Sequence, residues 1–335
     1  MPAANTVYCE GIPRIENHSP LPGTLCNTHW FRGEKPAMIR PKKHLGQHFL
    51  RDENIAQKIV GYLNPEIPLV LEVGPGMGVL TKYILGETAM ENPIGNIDPW
   101  FMEIDRESVD YLKLKFPQIS GHLLLADFLS YDLDRFPPAL VSMETDGGEA
   151  PGPTCKFTVI GNFPYNISSQ ILFKALEHRD RIPEVIGMFQ KEVAERIASP
   201  PGNKTYGIIS VLLQAFYDID YLFTVSETVF YPPPKVKSAV IRLRRNKTHR
   251  LDCDETLFIR VVKMAFNQRR KTLRNAIRPL LPPPTPSGSP TPSGSPTPSG
   301  SPTPSGWLLK CLDLRAEQLS VEDFVKLTSE ISTFA

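Results

Sequence analysis

The stretch PLVLEVGPGMGVLTKYIL, residues 68–85, decides the fold class of this chain. It reads as a buried strand, a glycine-rich turn and an amphipathic helix in direct succession. Gly74, Gly76 and Gly78 allow the backbone of the turn to approach a ligand closely and to present amide groups at the start of the helix. This succession is typical of the opening of an α/β unit.

The alternation of strands and helices continues along the chain. A helical pattern precedes the opening unit at residues 52–63. Further strands are predicted at residues 100–104, 122–125 and 158–160, and further helices at residues 108–116 and 169–179. Because βαβ alternation places parallel strands side by side with helices on both faces, we predict a Rossmann-like, doubly wound, mostly parallel sheet.

Polar residues follow the predicted strands at the points where they end. Glu103 ends the second strand, where a carboxylate can accept hydrogen bonds from both hydroxyls of a ribose. Asp127 and Asn162 end the next two strands. One such residue is most often a surface cap, but ligands of open α/β sheets bind beyond the carboxyl ends of the strands. Together with the glycine turn, these residues indicate a nucleoside site.

Composition limits the class of protein. The chain has 335 residues, 41% hydrophobic and 22% charged, which suits one large globular domain and a smaller one. We find no apolar run near the roughly 20 residues of a membrane span, and residues 1–37 lack the apolar core of a signal peptide. We expect a cytoplasmic protein with no membrane partner. Its five cysteines lack CxxC spacing, which predicts reduced thiols and no metal site.

The net charge of +1 hides a basic segment. Residues 235–278 contain fourteen Lys and Arg against three acidic residues, a balance of +11. Such a concentration favours a polyanionic partner, although charge alone does not distinguish RNA from DNA. Four of these basic residues are predicted to have helical spacing, and two further lysines directly precede the segment HLGQHFL at residues 44–50. The candidate phosphate contacts are Lys42, Lys43, Arg269, Arg270, Lys271 and Arg274.

We divide the chain into three parts. Residues 1–37 are a loosely ordered extension, 38–246 the large domain with insertions at 86–99 and 139–155, and 247–335 a smaller helical domain that we expect to bind nucleic acid. A repeated PTPSGS tract at residues 282–306 interrupts the last part and is predicted to be a flexible linker. Translation from Met1 and translation from Met38 both fit the sequence.

Seven motifs in order resemble the bacterial small-subunit ribosomal RNA adenine dimethyltransferase family. They are LGQHFL, EVGPGMG, EID, ADF, GNFPYNISS, FYPPPKVKSAVIRL and FNQRRKTLRN, and the resemblance covers about residues 38–281 and 307–331. It implies S-adenosylmethionine as cofactor and dimethylation at N6 of two adjacent adenosines near the 3′ end of 16S RNA during assembly of the 30S particle. By position, it assigns the cofactor site to His48, Leu50, Gly74, Gly76, Glu103, Asp127 and Asn162.

The NFPY segment suits this chemistry because it contains no charge. An exocyclic adenine amine is a poor nucleophile that needs positioning and hydrogen-bond acceptors rather than a strong base. We predict that the Asn162 side-chain oxygen and the Phe163 carbonyl, held by Pro164, accept its two N–H bonds. Tyr165 offers a ring on which the extruded base stacks, and Phe230 closes the other face of the base.

Two alternative functions share parts of this pattern. One is a related adenine methyltransferase of large-subunit RNA, and the other is a non-catalytic nucleic-acid-binding factor with the same fold. FYPPPKVKSAV and FNQRRKTLRN favour the small-subunit enzyme, and intact Glu103, Asp127 and NFPY argue against a non-catalytic factor. We expect a monomer whose partner is small-subunit RNA, either naked or within an immature 30S particle.

Overall fold

The computed structural model describes residues 39–86, 97–138, 155–281 and 305–334. The predicted N-terminal extension, most of both insertions and almost all of the PTPSGS tract lie outside these residues. The described residues fall into two compact units. The first takes the described parts of Met1–Ala194 and Asp220–Arg245, and the second those of Glu195–Ile219 and Asn246–Ala335.

A seven-stranded sheet organises the first unit. Its strands are β2 (Leu69–Val73), β3 (Asp98–Glu103), β4 (Leu123–Leu125), β5 (Phe157–Asn162), β6 (Glu184–Gln190), β7 (Tyr217–Val225) and β9 (Ser238–Arg245). The order is β4-β3-β2-β5-β6-β9-β7, with the first five strands parallel and β9 antiparallel to β6. A separate antiparallel pair joins β1 (Phe49–Leu50) to β8 (Phe230–Tyr231). The predicted doubly wound, mostly parallel fold is confirmed.

Short helices follow or connect the strands. They are α1 (Glu53–Val60), α2 (Val79–Ile84), α3 (Arg106–Lys115), α4 (Ser168–Glu177), α5 (Lys191–Ala198), α6 (Ile208–Gln214), α7 (Glu255–Asn267), α8 (Leu273–Ala276), α9 (Gly306–Cys311) and α10 (Val321–Ser332). Aspartates begin α1, α3 and α7, because a side-chain oxygen can accept a hydrogen bond from an unpaired first-turn amide. Asp52 accepts from Ile55 at 3.1 Å, and Asp105 accepts from Glu107 at 3.3 Å.

The central strands are covered on both faces. Every residue of β2 is buried, as are the first five residues of β5. Such strands read as continuous apolar runs, which is why strands are recognisable within residues 68–85 and at residues 158–160 of the sequence. β3 begins at Asp98, inside the predicted insertion of residues 86–99. The reason is pairing with β2, since Asp98 and Pro99 lie opposite Leu69 and Val70.

Helices dominate the second unit, where α10 packs against α7 and α6. Ser320 caps the start of α10, where its hydroxyl accepts from the Asp323 amide at 3.1 Å. Phe324 and Leu327 of its apolar face are fully buried. The unit also contains Glu195–Ile219, which lies within the predicted large domain of residues 38–246. The reason is the packing of α6 on α7, a contact between segments far apart in the sequence.

The redox state of the cysteines differs from the prediction. Cys155 is disulfide-bonded, so the prediction of five reduced thiols is wrong, whereas Cys253 and Cys311 are free. Spacing rules detect local CxxC pairs only and miss bonds between distant residues. Among the described residues, no helix has the length and apolar character needed to cross a membrane. The same residues contain no cluster of three or more metal-ligating side chains.

Candidate active site

A cavity opens beyond the carboxyl ends of β2, β3 and β5, the edge at which parallel sheets bind ligands. Most of the predicted cofactor and catalytic residues line it. They are His48, Gly74, Gly76, Glu103, Asp127, Asn162, Phe163, Pro164 and Tyr165. These residues lie close together because parallel strands bring their carboxyl ends to one edge of the sheet.

Glu103 is the buried carboxylate of this cavity, with only 3% of its surface exposed. One of its oxygens accepts from the Gly76 amide and the other from the Asp105 amide, each at 3.0 Å. Burial raises the pKa of Glu103, and these backbone hydrogen bonds oppose that rise. Each carboxylate oxygen retains a second lone pair. Glu103 is therefore a fixed acceptor for a hydroxyl pair.

The glycine turn leaves room next to Glu103. Gly76 has φ +55°, and a Cβ there would lie 2.9 Å from the ring of Phe49. A larger residue would strain the backbone and collide with the cavity wall. A Cβ on Gly74 would meet no atom within 4 Å, so the space beside the turn is open.

Asp127 stands in the loop after β4, where one of its carboxylate oxygens accepts from the Leu129 amide at 3.0 Å. The Lys174 ammonium from α4 donates to the Leu129 carbonyl at 2.9 Å and to that of Tyr131 at 2.5 Å. Burial lowers the pKa of Lys174, and the nearby Asp127 opposes this. The loop is thus tied to a helix, which fixes Asp127 at the cavity.

Several apolar residues that line the cavity are absent from the predicted site, among them Ile104 and Phe128. Ile104 is 51% exposed, although it is a large apolar side chain, and Phe128 is buried beside Asp127. Both offer apolar surface to a planar ring. The signal was available, because each directly follows an acidic residue at a strand end, in EID and in ADF.

The amide of Asn162 is oriented by the chain itself. Its nitrogen donates to the His48 carbonyl at 2.8 Å, which leaves the amide oxygen available as an acceptor. The Tyr165 hydroxyl lies 2.5 Å from that of the buried Ser238, and its ring stacks with that of His48 at 5.5 Å between centroids. Burial raises the pKa of Tyr165, so the phenol stays neutral.

The ring of Phe163 anchors the NFPY segment. It is 1% exposed and contacts Phe189 with 5.4 Å between centroids. Gly161 and Gly187, opposite each other in β5 and β6, leave the gap that it fills. A Cβ on Gly187 would lie 2.2 Å from this ring, and one on Gly161 would lie 2.7 Å from it. No motif in the sequence marks Gly187 for this role.

Leu50 and Phe230 lie elsewhere. They are opposite each other in the β1–β8 pair, and both are buried in the hydrophobic core. Leu50 lines a smaller cavity together with Gly74 and Asn162. Phe230 is 3% exposed and does not line either cavity. The motif locates Phe230 in the sequence but does not predict that its side chain packs in the hydrophobic core.

The basic segment after α7 is a turn, and the predicted helical spacing is wrong. α7 ends at Asn267, and α8 begins only at Leu273. The amides of Leu273 and Arg274 donate at 2.8 Å to the carbonyls of Leu314 and Leu312, which fixes the new helix start. Propensity is overridden here by contacts with a distant segment.

The candidate phosphate contacts divide into two classes. The Lys42 ammonium lies 2.6 Å from Asp105 and 3.0 Å from Glu107, and Arg274 lies 2.9 Å from Asp313. Arg269 donates to the Lys204 carbonyl and lies 3.7 Å from Glu317. The other three are exposed and form no ion pair with a described residue. They are Lys43, Arg270 and Lys271.

Comparison with known sequences identifies close relatives. Residues 38–286 match the family model described as ribosomal RNA adenine dimethylase. The ribosomal RNA small subunit methyltransferase A of Cytophaga hutchinsonii is 49% identical over 88% of this chain and 98% of its own length. The protein of the same name from Parabacteroides distasonis is 50% identical over 87% of this chain and 94% of its own.

Two solved structures share the fold. A dimethyladenosine transferase from Plasmodium falciparum has a TM-score of 0.58 at 21% identity, covering 84% of this chain and 96% of its own. The 23S rRNA methyltransferase ErmE has a TM-score of 0.55 at 22% identity, covering 85% of this chain and 99% of its own. At these identities the likeness concerns architecture alone.

Proposed function

The chain belongs to the ribosomal RNA adenine dimethylase family, and from this premise we propose that it methylates N6 of adenosine in small-subunit ribosomal RNA. Its targets are two adjacent adenosines near the 3′ end of 16S RNA, which become N6,N6-dimethyladenosine while the 30S particle is assembled. The observation that supports this function most directly is the uncharged NFPY segment, Asn162 to Tyr165, in one cavity with the buried Glu103 carboxylate.

The residues of the cavity suit S-adenosylmethionine, the cofactor of this family. Glu103 offers a fixed carboxylate to the ribose hydroxyls, and Asp127 offers an acceptor to the adenine amine. Ile104 supplies apolar surface for the adenine ring, and the open space beside Gly74 leaves room for the ligand. When bound, S-adenosylmethionine supplies an electrophilic methyl group on a sulfonium.

The NFPY segment positions the target adenine. The Asn162 amide oxygen and the Phe163 carbonyl accept the two N–H bonds of its amine, and Tyr165 stacks on the base. The His48 contact supports this role of Asn162, because it occupies the amide nitrogen and leaves the oxygen for the substrate. The packed ring of Phe163 supports the role of its carbonyl, because a fixed ring restrains the adjoining backbone.

Catalysis then depends on alignment. Holding the amine in line with the methyl group lowers the entropic part of the barrier, and fixed acceptors favour the pyramidal nitrogen. A strong base is unnecessary, because the proton becomes acidic once its nitrogen gains the methyl group and can leave to water. The neutral phenol of Tyr165 agrees with a stacking role.

The RNA partner is proposed to bind through exposed cations. Arg270 and Lys271 are accessible in the turn after α7, and Lys43 is accessible near the cavity wall. Lys and Arg that neutralise phosphates release counterions, which gives affinity without sequence readout. We propose a cytoplasmic monomer that acts on the immature 30S particle.

Product mapping tests this function. The protein is incubated with labelled S-adenosylmethionine and naked small-subunit RNA, immature 30S particles or large-subunit RNA, and the modified adenosines are located by mass spectrometry. We expect two adjacent dimethylated adenosines in small-subunit RNA. Tyr165→Ala should bind the cofactor normally but lose turnover by orders of magnitude at saturating RNA. Modification of large-subunit RNA alone would overturn the proposal, and so would normal turnover of Tyr165→Ala.

A further inference from the structure

We propose that Lys42 is a positioning residue for the cofactor, because its ion pairs hold residues 42–48 as a strap along the wall of the cofactor cavity. This inference rests on the proposed function, since it concerns the same cofactor site. It gives Lys42 and Lys43 different roles, although both belong to the predicted phosphate contacts. Three features support this role: the ion pairs of Lys42, the hydrogen bond between His48 and Asn162, and the position of the residues between them on the cavity wall.

The first end is held by carboxylates next to Glu103. The Lys42 ammonium lies 2.6 Å from an Asp105 oxygen and 3.0 Å from a Glu107 oxygen. The Asp105 side chain is only 4% exposed, and its other oxygen accepts from the Ser108 hydroxyl at 2.9 Å. Because Asp105 also caps α3, the anchor of the strap is part of the fold rather than a mobile surface group.

Lys42 is coupled to the rest of the strap by short-range hydrogen bonds. Its amide donates to the Gln47 side-chain oxygen at 2.9 Å, and its carbonyl accepts from the Leu45 amide at 3.1 Å. Gly46, with φ +66°, donates to the Lys43 carbonyl at 3.1 Å. The strap is thus one compact turn. Release of Lys42 would displace it as a unit.

The second end is held at the catalytic side of the cavity. The His48 carbonyl accepts from the Asn162 amide nitrogen at 2.8 Å, and the His48 ring lies 2.8 Å from the Pro232 carbonyl. Between the two ends, residues 44–49 line the cavity without interruption. The strap therefore joins the Glu103 end of β3 to the Asn162 end of β5. A change at Lys42 can reach both the cofactor wall and the amide that faces the substrate.

The charges at the first end depend on each other. Burial acts to raise the pKa of Asp105, but the hydrogen bonds from Lys42 and Ser108 outweigh it and the pKa is lowered. Hydrogen bonds to Asp105 and Glu107 raise the pKa of Lys42, so the ammonium stays charged. Exposed ion pairs usually contribute little. This pair differs because one partner is buried and would lose its cation.

Lys43 provides a matched control one residue away. It has the same side chain and charge, but it is exposed and makes no ion pair with a described residue. Removing the charge of Lys43 takes away a cation that is available to RNA phosphates, whereas the charge of Lys42 is already paired with Asp105 and Glu107. Only the Lys42 change releases the strap. The two variants therefore separate cofactor positioning from phosphate contact.

The test measures cofactor binding without turnover. Calorimetry gives the dissociation constant of S-adenosylmethionine for wild type, Lys42→Met, Lys42→Arg and Lys43→Met. We expect Lys42→Met to raise it about three- to tenfold, Lys42→Arg to stay near wild type, and Lys43→Met to leave it unchanged. Hydrogen exchange without cofactor should show faster exchange at the Leu45 and Gln47 amides in Lys42→Met alone.

Kinetics with RNA completes the test. Lys43→Met should raise the KM for RNA and flatten its salt dependence, whereas Lys42→Met should leave the salt slope unchanged. The inference is overturned if Lys42→Met binds the cofactor as wild type does, or if it alters the salt slope as Lys43→Met does. Failure of the wild-type protein to bind S-adenosylmethionine would instead overturn the proposed function.

Discussion

Gly187→Ala should impair methyl transfer although Gly187 lies outside the cavity wall. Its added Cβ would stand 2.2 Å from the Phe163 ring, whereas ordinary contacts begin at 3.4 Å. The ring must therefore withdraw by about 1.2 Å, the difference between the two distances. Phe189, which would also be only 2.7 Å from the new Cβ, closes off part of the space for that movement.

This displacement should lower both the unfolding free energy and the rate of methyl transfer. Overpacking of a close-packed interior costs about 1–3 kcal/mol of unfolding free energy. A shift of about 1 Å in a positioning group can reduce turnover by on the order of 100-fold, because alignment contributes to the barrier. We therefore expect kcat to fall between tenfold and 100-fold. The dissociation constant of S-adenosylmethionine should change less, since Glu103 and Asp127 do not contact Gly187.

Three measurements check this prediction. Thermal unfolding reports the stability of Gly187→Ala, calorimetry its cofactor binding, and single-turnover kinetics its methyl transfer. Gly121→Ala is the control, because a Cβ at Gly121 meets no atom within 4 Å. Phe163→Leu, which leaves part of the same gap unfilled, gives a second variant if Gly187→Ala does not fold. A folded Gly187→Ala protein with wild-type kcat would refute the positioning role of the Phe163 ring.

Three further predictions concern burial, the cofactor and RNA. Burial raises the pKa of Glu72 to about 8 from 4.5, so the folded state keeps a proton that the unfolded state loses between these values, and the carboxyl becomes more destabilising as pH rises. The unfolding free energy of Glu72→Gln, measured in urea, should therefore rise relative to that of wild type by about 2–3 kcal/mol as the pH increases from about 5 to 7. A difference between the two proteins that does not depend on pH would contradict this. Asp127→Ala should weaken S-adenosylmethionine binding by about 1–3 kcal/mol in calorimetry, and an unchanged dissociation constant would remove Asp127 from the site. Arg270→Gln should raise the KM for RNA and flatten its salt dependence, whereas Arg274→Gln should change the slope less because Asp313 already pairs Arg274; equal slopes for the two single variants would refute this distinction.

The fold was predictable because its signals are local. Residues 68–85 contain strand, turn and helix in one stretch, and buried parallel strands read as apolar runs. The predicted helices at residues 108–116 and 169–179 begin within two residues of α3 and α4. The start of β3 was missed because it depends on pairing with β2, which no local pattern encodes.

The site was predictable as far as topology determines it. Parallel strands bring their carboxyl ends to one edge, so Glu103, Asp127 and Asn162 had to lie near one another. Gly187 was not predictable in this way, because its role appears only when the register of β5 and β6 places it under the Phe163 ring. The burial of Phe230 was not predictable for the converse reason. Its motif is recognisable, but burial depends on the face that its side chain takes.

The basic residues show why composition overstates what is available to RNA. Lys42 and Lys43 are adjacent and chemically identical, yet only Lys42 meets Asp105 and Glu107, which lie more than sixty residues further along the chain. Arg274 likewise meets Asp313. Each such pair neutralises a cation before RNA arrives, and an already neutralised cation releases fewer counterions from a phosphate. The salt dependence of RNA binding should therefore follow the exposed cations, rather than the balance of +11 that the sequence gives for residues 235–278.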